Sequence, residues 1–125
     1  MNRRYDSGRQ AFGEGRLNWA KDDIVGFLVD ATYRFSASHR TVQDLKSGVL
    51  KGPEPMDKRE IKDGYASSAP AIFESVKGEP VALIIAKANA TLIAYIDEIE
   101  GFPMKVNGVD IVVKYRRDKP YWFRV

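Results

Sequence analysis

Apolar positions along this chain fall into short blocks broken by charged and turn-forming residues. The first clear block, Ile24-Val25-Gly26-Phe27-Leu28-Val29, is continuous rather than alternating and is bounded by Asp22, Asp23 and Asp30. A β-branched and aromatic run of this kind predicts a strand buried on both faces at its centre. Gly26, inside it, marks a bulge or the close approach of another element.

From residue 56 onward nearly every signal is strand or turn. Met56 to Ile61 reads as a polar extended segment leading to Asp63-Gly64, a dipeptide suited to a tight turn. "PAIFESV", "PVALIIAKA", "TLIAYIDEI", "DIVVKYR" and "YWFRV" follow at the close spacing of antiparallel β structure. Lys87-Ala88-Asn89 is too short for a parallel crossover, so strands 80–87 and 90–98 are expected to pair as a hairpin. Asn107-Gly108, between "MKV" and "VDIVV", carries the strongest two-residue hairpin signal, because both central positions of a type I′ turn need positive φ. In the last stretch, alternation puts Tyr121, Phe123 and Val125 on one face and Trp122 and Arg124 on the other.

Helical signals are sparse. Tyr5 to Gly13 predicts a short, weak helix interrupted by Gly8 and ending at Gly13 or Gly15. His39 to Leu45 predicts one or two helical turns with Ser38 as N-cap, ahead of the breakers in "SGVLKGPEP". Together these elements predict a mainly β fold: a small antiparallel β-sandwich or flattened barrel, with a short N-terminal helix and one further short helix near residue 42. The length of 125 residues fits one β-rich domain over residues 1–125, with residues 1–16 as an N-terminal arm or as a cover on one end of the sandwich.

Composition narrows the chemistry. Without cysteine there are no disulfides, no thiolate metal sites and no thiol nucleophile. The longest strongly apolar run, Val81 to Ala86, is far below the roughly 20 residues that cross a bilayer, so a soluble protein made and folded in the cytoplasm, with no membrane partner, is expected. The net charge of +3 comes from 20 basic and 17 acidic residues, mostly interspersed. Two stretches are more basic: Arg3, Arg4, Arg9 and Arg16 near the N-terminus, and "KYRRDKPYWFRV" at the other end.

Neither stretch builds a catalytic constellation. The single histidine, His39, has no acidic residue within four positions and is expected at a surface or cap position. "GEGRLNW" lacks the pattern of a nucleotide loop, and the carboxylates show no calcium-loop spacing. In "AYIDEIEG" strand alternation sends Asp97 and Glu98 to opposite faces, with Leu92, Ala94 and Ile96 on the side of Glu98 and Thr91, Ile93 and Tyr95 on the side of Asp97. Glu100 falls in the following loop. No catalytic, cofactor or metal residues are therefore expected, and the chain reads as a non-enzyme. The aromatic and basic C-terminal stretch also has the composition of a surface for single-stranded nucleic acid, a lesser reading because alternation assigns half its aromatics to a core.

An opening like "YDSGRQAFGEGRLNWAKDDIVGFLVDATYRFSASHRTVQDL" and a closing like "PVALIIAKANATLIAYIDEIEGFPMKVNGVDIVVKYRRDKPYWFRV" resemble short structural proteins encoded among the virion genes of tailed bacteriophages. Between them "VLKGPEPMDKREIKDG" is more charged than the family pattern, and the turn inside "VKGEPVALIIAKANATLIAYID" is tighter. The resemblance implies a virion subunit: a capsid decoration or cement protein bridging major capsid proteins, or a neck, tail or fibre-adaptor component. It implies the major capsid protein or other virion subunits as partners, and a homo-oligomer or many copies per particle. It carries over no catalytic residues. Candidate interface residues are Arg3, Arg4, Tyr5, Arg9 and Phe12 in the arm, with Arg116, Arg117 and Trp122 at the other end.

Overall fold

A computed structural model describes residues 2–88 and 91–125. Its strands are β1 (Arg3–Arg4), β2 (Ile24–Val29), β3 (Val49–Pro55), β4 (Glu60–Lys62), β5 (Tyr65–Ser67), β6 (Ala71–Gly78), β7 (Ala82–Lys87), β8 (Leu92–Ile96), β9 (Val106–Val113) and β10 (Phe123–Arg124). Helix α1 spans Asp6–Gly13, and a 3₁₀ segment, broken at Lys46, spans Val42–Gly48. The strands form three antiparallel sheets: β1-β8-β7-β2-β3, β10-β5-β4 and the ribbon β6-β9. These sheets are not closed into a barrel, so of the two expected forms the sandwich-like one is found. Among the described residues no helix is long and apolar enough to cross a membrane.

The continuous apolar runs of β2, β7 and β8 are explained by two cores, one on each face of the five-stranded sheet. Ile24, Leu28, Leu83 and Ile85 face a cluster shared with Phe73, Val76, Ile111 and Val113 of the ribbon and with Ala66 and Phe123 of the three-stranded sheet. Phe27, Val29, Ile84 and Ala86 face the other way, against Tyr5, Tyr33 and Leu45. A strand covered on both sides has no polar face to show, which is why its sequence does not alternate. Gly26 is a close-contact site as expected: a Cβ there would lie 2.9 Å from Leu83 Cδ1.

Asp63-Gly64 and Asn107-Gly108 exchange the importance the sequence assigns them. Asp63 (φ 54°) and Gly64 (φ 82°) join β4 to β5 as a two-residue hairpin with both central residues at positive φ. Asn107-Gly108 instead lies inside β9, so the expected hairpin there is not formed. Gly108 (φ 87°) supplies an extra residue on β9, and Ser75 (φ 51°) supplies one on β6, so the two bulges cancel and the register resumes. Asp110 Oδ1 accepts the Ser75 N–H at 2.9 Å and secures the second bulge.

Strands β7 and β8 pair as expected, although Asn89 of their connection lies outside the described residues. Their pairing slips between Ile85 and Ala86, opposite Ala94 and Leu92, leaving Ile93 as the extra residue on β8. Past this bulge the faces exchange: Leu92 joins Tyr95 in one core while Ile93, Ala94 and Ile96 share the other, unlike the strict alternation read from sequence. Asp97 and Glu98 lie beyond the end of β8 rather than on its two faces.

Residues 2–16 are docked on the sheet and do not extend as an arm. Strand β1 pairs with β8 through Arg3 with Tyr95 and Arg4 with Ala94, and the Tyr5 N–H donates to Ile93 O at 3.1 Å. Helix α1 packs on the same strand through Gly8, where a Cβ would come within 2.8 Å of Ile93 Cα and Leu92 O. The glycine that weakens the helix in isolation is the residue that lets it reach the sheet.

The N-cap near residue 42 is Thr41 and not Ser38, because Asp44, three residues on, accepts N–H groups of Thr41 (3.1 Å) and Arg40 (2.8 Å) through one carboxylate oxygen. Those bonds hold the Asp44 carboxyl below the usual carboxylate range.

Candidate interaction surface

The two chain ends meet. Asn2 Nδ2 donates to Trp122 O at 3.4 Å, and Arg4 Nη1 donates to Arg124 O. Between β1 and residues 121–124 runs a slot of about 260 Å³ lined by Asn2, Arg3, Arg4, Glu98 and Lys119 together with the tail. A second, open groove of about 440 Å³ is lined by Arg4, Arg9, Phe12, Gly13, Arg124 and Val125.

Arg4, like Arg124, lines both. Its guanidinium lies 4.6 Å from the Phe123 ring centroid and 5.7 Å from that of Phe12, close enough for cation–π attraction to fix its plane. Burial, and then repulsion from Arg9, lower its pKa from the ordinary arginine value. Its Nε is buried with no hydrogen-bond partner among the described residues.

The slot is closed at its acidic end by its own chain. Lys119 Nζ reaches Glu98 Oε1 at 2.7 Å, the Asn2 N–H donates to Glu98 Oε2 at 3.1 Å, and Asn2 Oδ1 accepts the N–H groups of Asp97 and Glu98. The Lys119 hydrogen bond, aided by the Asn2 amide, holds the Glu98 carboxyl below the usual glutamate range. Glu100, in the following loop, lies 3.9 Å from Lys114 with both side chains exposed. Both glutamates thus meet cations of this same chain.

Of the candidate interface residues, the structure brings together Arg4, Arg9 and Phe12 and adds Arg124. Arg3 lines the slot but not the groove, and its guanidinium lies 5.3 Å from the Phe35 ring centroid. Arg116 and Arg117 are exposed beyond β9 and line neither the slot nor the groove.

Tyr5 and Trp122, expected at a partner surface, are both 0% exposed and belong to the chain's own cores. The tail holds only two paired residues, too little strand to impose alternation, and Trp122 and Phe123 are both buried. Trp122 Nε1 donates to Ser68 Oγ at 2.7 Å, and Trp19 Nε1 donates to Ser67 O at 3.0 Å. Phe123 packs against Trp19 and Phe12. Trp19, Trp122 and Phe123 fill the core instead of presenting faces on which bases could stack.

His39 is not a free surface residue. Its Nδ1 lies 2.8 Å from Tyr33 Oη, which lies 2.7 Å from Tyr5 Oη, so two tyrosines and a histidine form one hydrogen-bonded chain from core to rim. Burial first, and the bond to Tyr33 second, push the Tyr5 phenol well above its ordinary range and keep it neutral. Nothing in the residue pattern pointed to this chain, since Tyr5 stands 28 positions from Tyr33 and all three members are of ordinary type.

A second surface feature was also invisible in sequence. On the ribbon, Ile72 and Val112 are cross-strand partners and each is 53% exposed, and Val109 adds a third half-exposed β-branched side chain on β9. Comparison with family models, with curated proteins and with solved structures finds no match to this chain.

Proposed function

We propose that this chain is a non-enzymatic structural subunit of a tailed-bacteriophage virion. Its favoured place is on the head, as a decoration or cement subunit that stabilises the shell by bridging major capsid proteins. The observation that carries this reading is the exposed apolar pair Ile72 and Val112 on the ribbon. Paired β-branched residues left in water on a well-packed sheet are the composition of a subunit contact, and charged Glu74, Lys77, Asp110 and Lys114 on the same strands or beside them supply a polar rim. The sequence resemblance supplies the setting, and a sheet braced on both faces supplies the rigidity a bridging subunit needs.

The test is the stoichiometry of purified particles, by densitometry and by a particle map. Decoration predicts on the order of hundreds of copies per head, whereas a ring in the neck or tail predicts roughly a dozen or fewer, as cyclic symmetry dictates. Absence from particles overturns both placements. Replacing Ile72 with lysine and Val112 with glutamate, opposite charges on facing positions, is expected to change folding stability by no more than about 1 kcal/mol while removing the subunit from particles.

A further inference from the structure

The groove lined by Arg4, Arg9 and Arg124 has no part in the ribbon contact. Three guanidinium groups line it with Phe12, Gly13 and Val125, and no Asp or Glu side chain is among the lining residues. The nearby carboxylate of Glu98 is already engaged by Lys119 and by the Asn2 amide. Like charges gathered around one depression repel, and a groove that concentrates them attracts a group of the opposite sign.

We propose that this groove is a carboxylate-binding site that receives an acidic, extended segment of another virion subunit. The inference rests on the virion reading for the identity of the partner, though not for the chemistry of the site.

Four observations favour a peptide carboxylate over a nucleic-acid backbone. Arg4 is held in plane by Phe12 and Phe123, with Nη1 on Arg124 O and Nε buried, so its guanidinium is a fixed, directional donor suited to one carboxylate oxygen. Phe123 is 5% exposed, so it offers no stacking face for a base. The remaining cations of the tail do not extend the site into a stripe, since Arg116 and Arg117 line neither cavity and Lys119 is paired with Glu98. Finally, β1, the two-residue end strand of its sheet, carries Arg4 of the groove, so a short extended segment has a sheet edge beside the site.

The test uses a fluorescein-labelled oligoglutamate peptide and, separately, an oligothymidylate of matched charge, titrated with the full chain at low salt and followed by anisotropy. Amide chemical shifts locate the site. Two double variants are compared, Arg9→Glu with Arg124→Glu and Arg116→Glu with Arg117→Glu. They change net charge equally, and all four side chains are exposed, so folding is retained and is checked by circular dichroism.

The expected result is a loss of peptide affinity of about tenfold or more in the groove variant and of less than about twofold in the tail variant. Equal losses in the two variants, or no peptide binding to the unmodified chain, overturn the proposal. Tighter binding of the oligothymidylate, lost in the groove variant, overturns it in favour of nucleic acid. Self-association that is abolished by the groove variant overturns it in favour of a second copy as occupant. None of these outcomes alters the copy number in particles, so failure of the site and failure of the virion reading remain separate.

Discussion

Replacing Gly8 with alanine sets two effects of opposite sign against each other. Helix propensity alone favours alanine over glycine by about 1 kcal/mol within a helix. Against this, the added Cβ would stand 2.8 Å from both Ile93 Cα and Leu92 O. Both are backbone atoms of β8, which cannot swing aside as a side chain would, so the helix itself must move. Overpacking of this kind costs about 1–3 kcal/mol, and rigid neighbours place it in the upper part of that range. The net expectation is a destabilisation of about 1–2 kcal/mol, seen as a fall in Tm of about 3–8 °C for a domain of this size. Gly13→Ala is the internal control. It lies at the end of the same helix with nothing within 4 Å of an added Cβ, and substitution there is expected to be neutral or to stabilise by up to about 1 kcal/mol. Thermal and urea unfolding followed by circular dichroism measure both. If Gly8→Ala matches Gly13→Ala or raises stability, α1 does not rest on β8 as described.

Two further predictions concern polar groups. Tyr5→Phe removes one buried hydrogen bond and leaves Tyr33 free to donate to His39, a loss of about 1 kcal/mol; Tyr33→Phe strands the fully buried Tyr5 hydroxyl and costs about 2–3 kcal/mol. Urea unfolding ranks the pair, and the reverse order would contradict the chain. Because Glu98 is held below its ordinary pKa in the folded state, the stability it lends is fully present above that ordinary value and is lost as pH falls through the lowered one. Glu98→Gln should therefore flatten this part of the acid limb in a plot of urea midpoint against pH, and an unchanged slope would remove Glu98 from the account.

Strand content was legible because local signals carried it. The apolar run of β2 announced burial on both faces, and Gly26 announced a close contact. Bulges were not legible. Gly108 satisfies its dipeptide's requirement for positive φ, but whether it turns the chain or kinks a continuing strand depends on β6, whose own extra residue at Ser75 restores the register. The same holds for Ile93, whose bulge reassigns the faces of β8. At the candidate site, basic residues near both ends were readable as such, whereas their sorting was not. Tyr5 and Trp122 have the look of interface anchors in sequence and are core in the fold, because both find hydrogen-bond partners inside the molecule. Arg124 joins the groove only through the meeting of two ends separated by nearly the whole sequence.

That meeting has a consequence for the order of events in assembly. The bonds that close the junction link residues 96 to 120 positions apart, among the most distant contacts the chain can make. Contacts of such separation pay their loop-closure entropy before any reward, and proteins built on them fold slowly. Strand β1, translated first, has no seat until β8 exists, and the arginine groove has no second wall until the tail is in place. The groove is thus a property of the finished fold alone: a nascent or partly folded chain has the arginines but not the groove, and the carboxylate binding proposed for it cannot begin before the fold is complete.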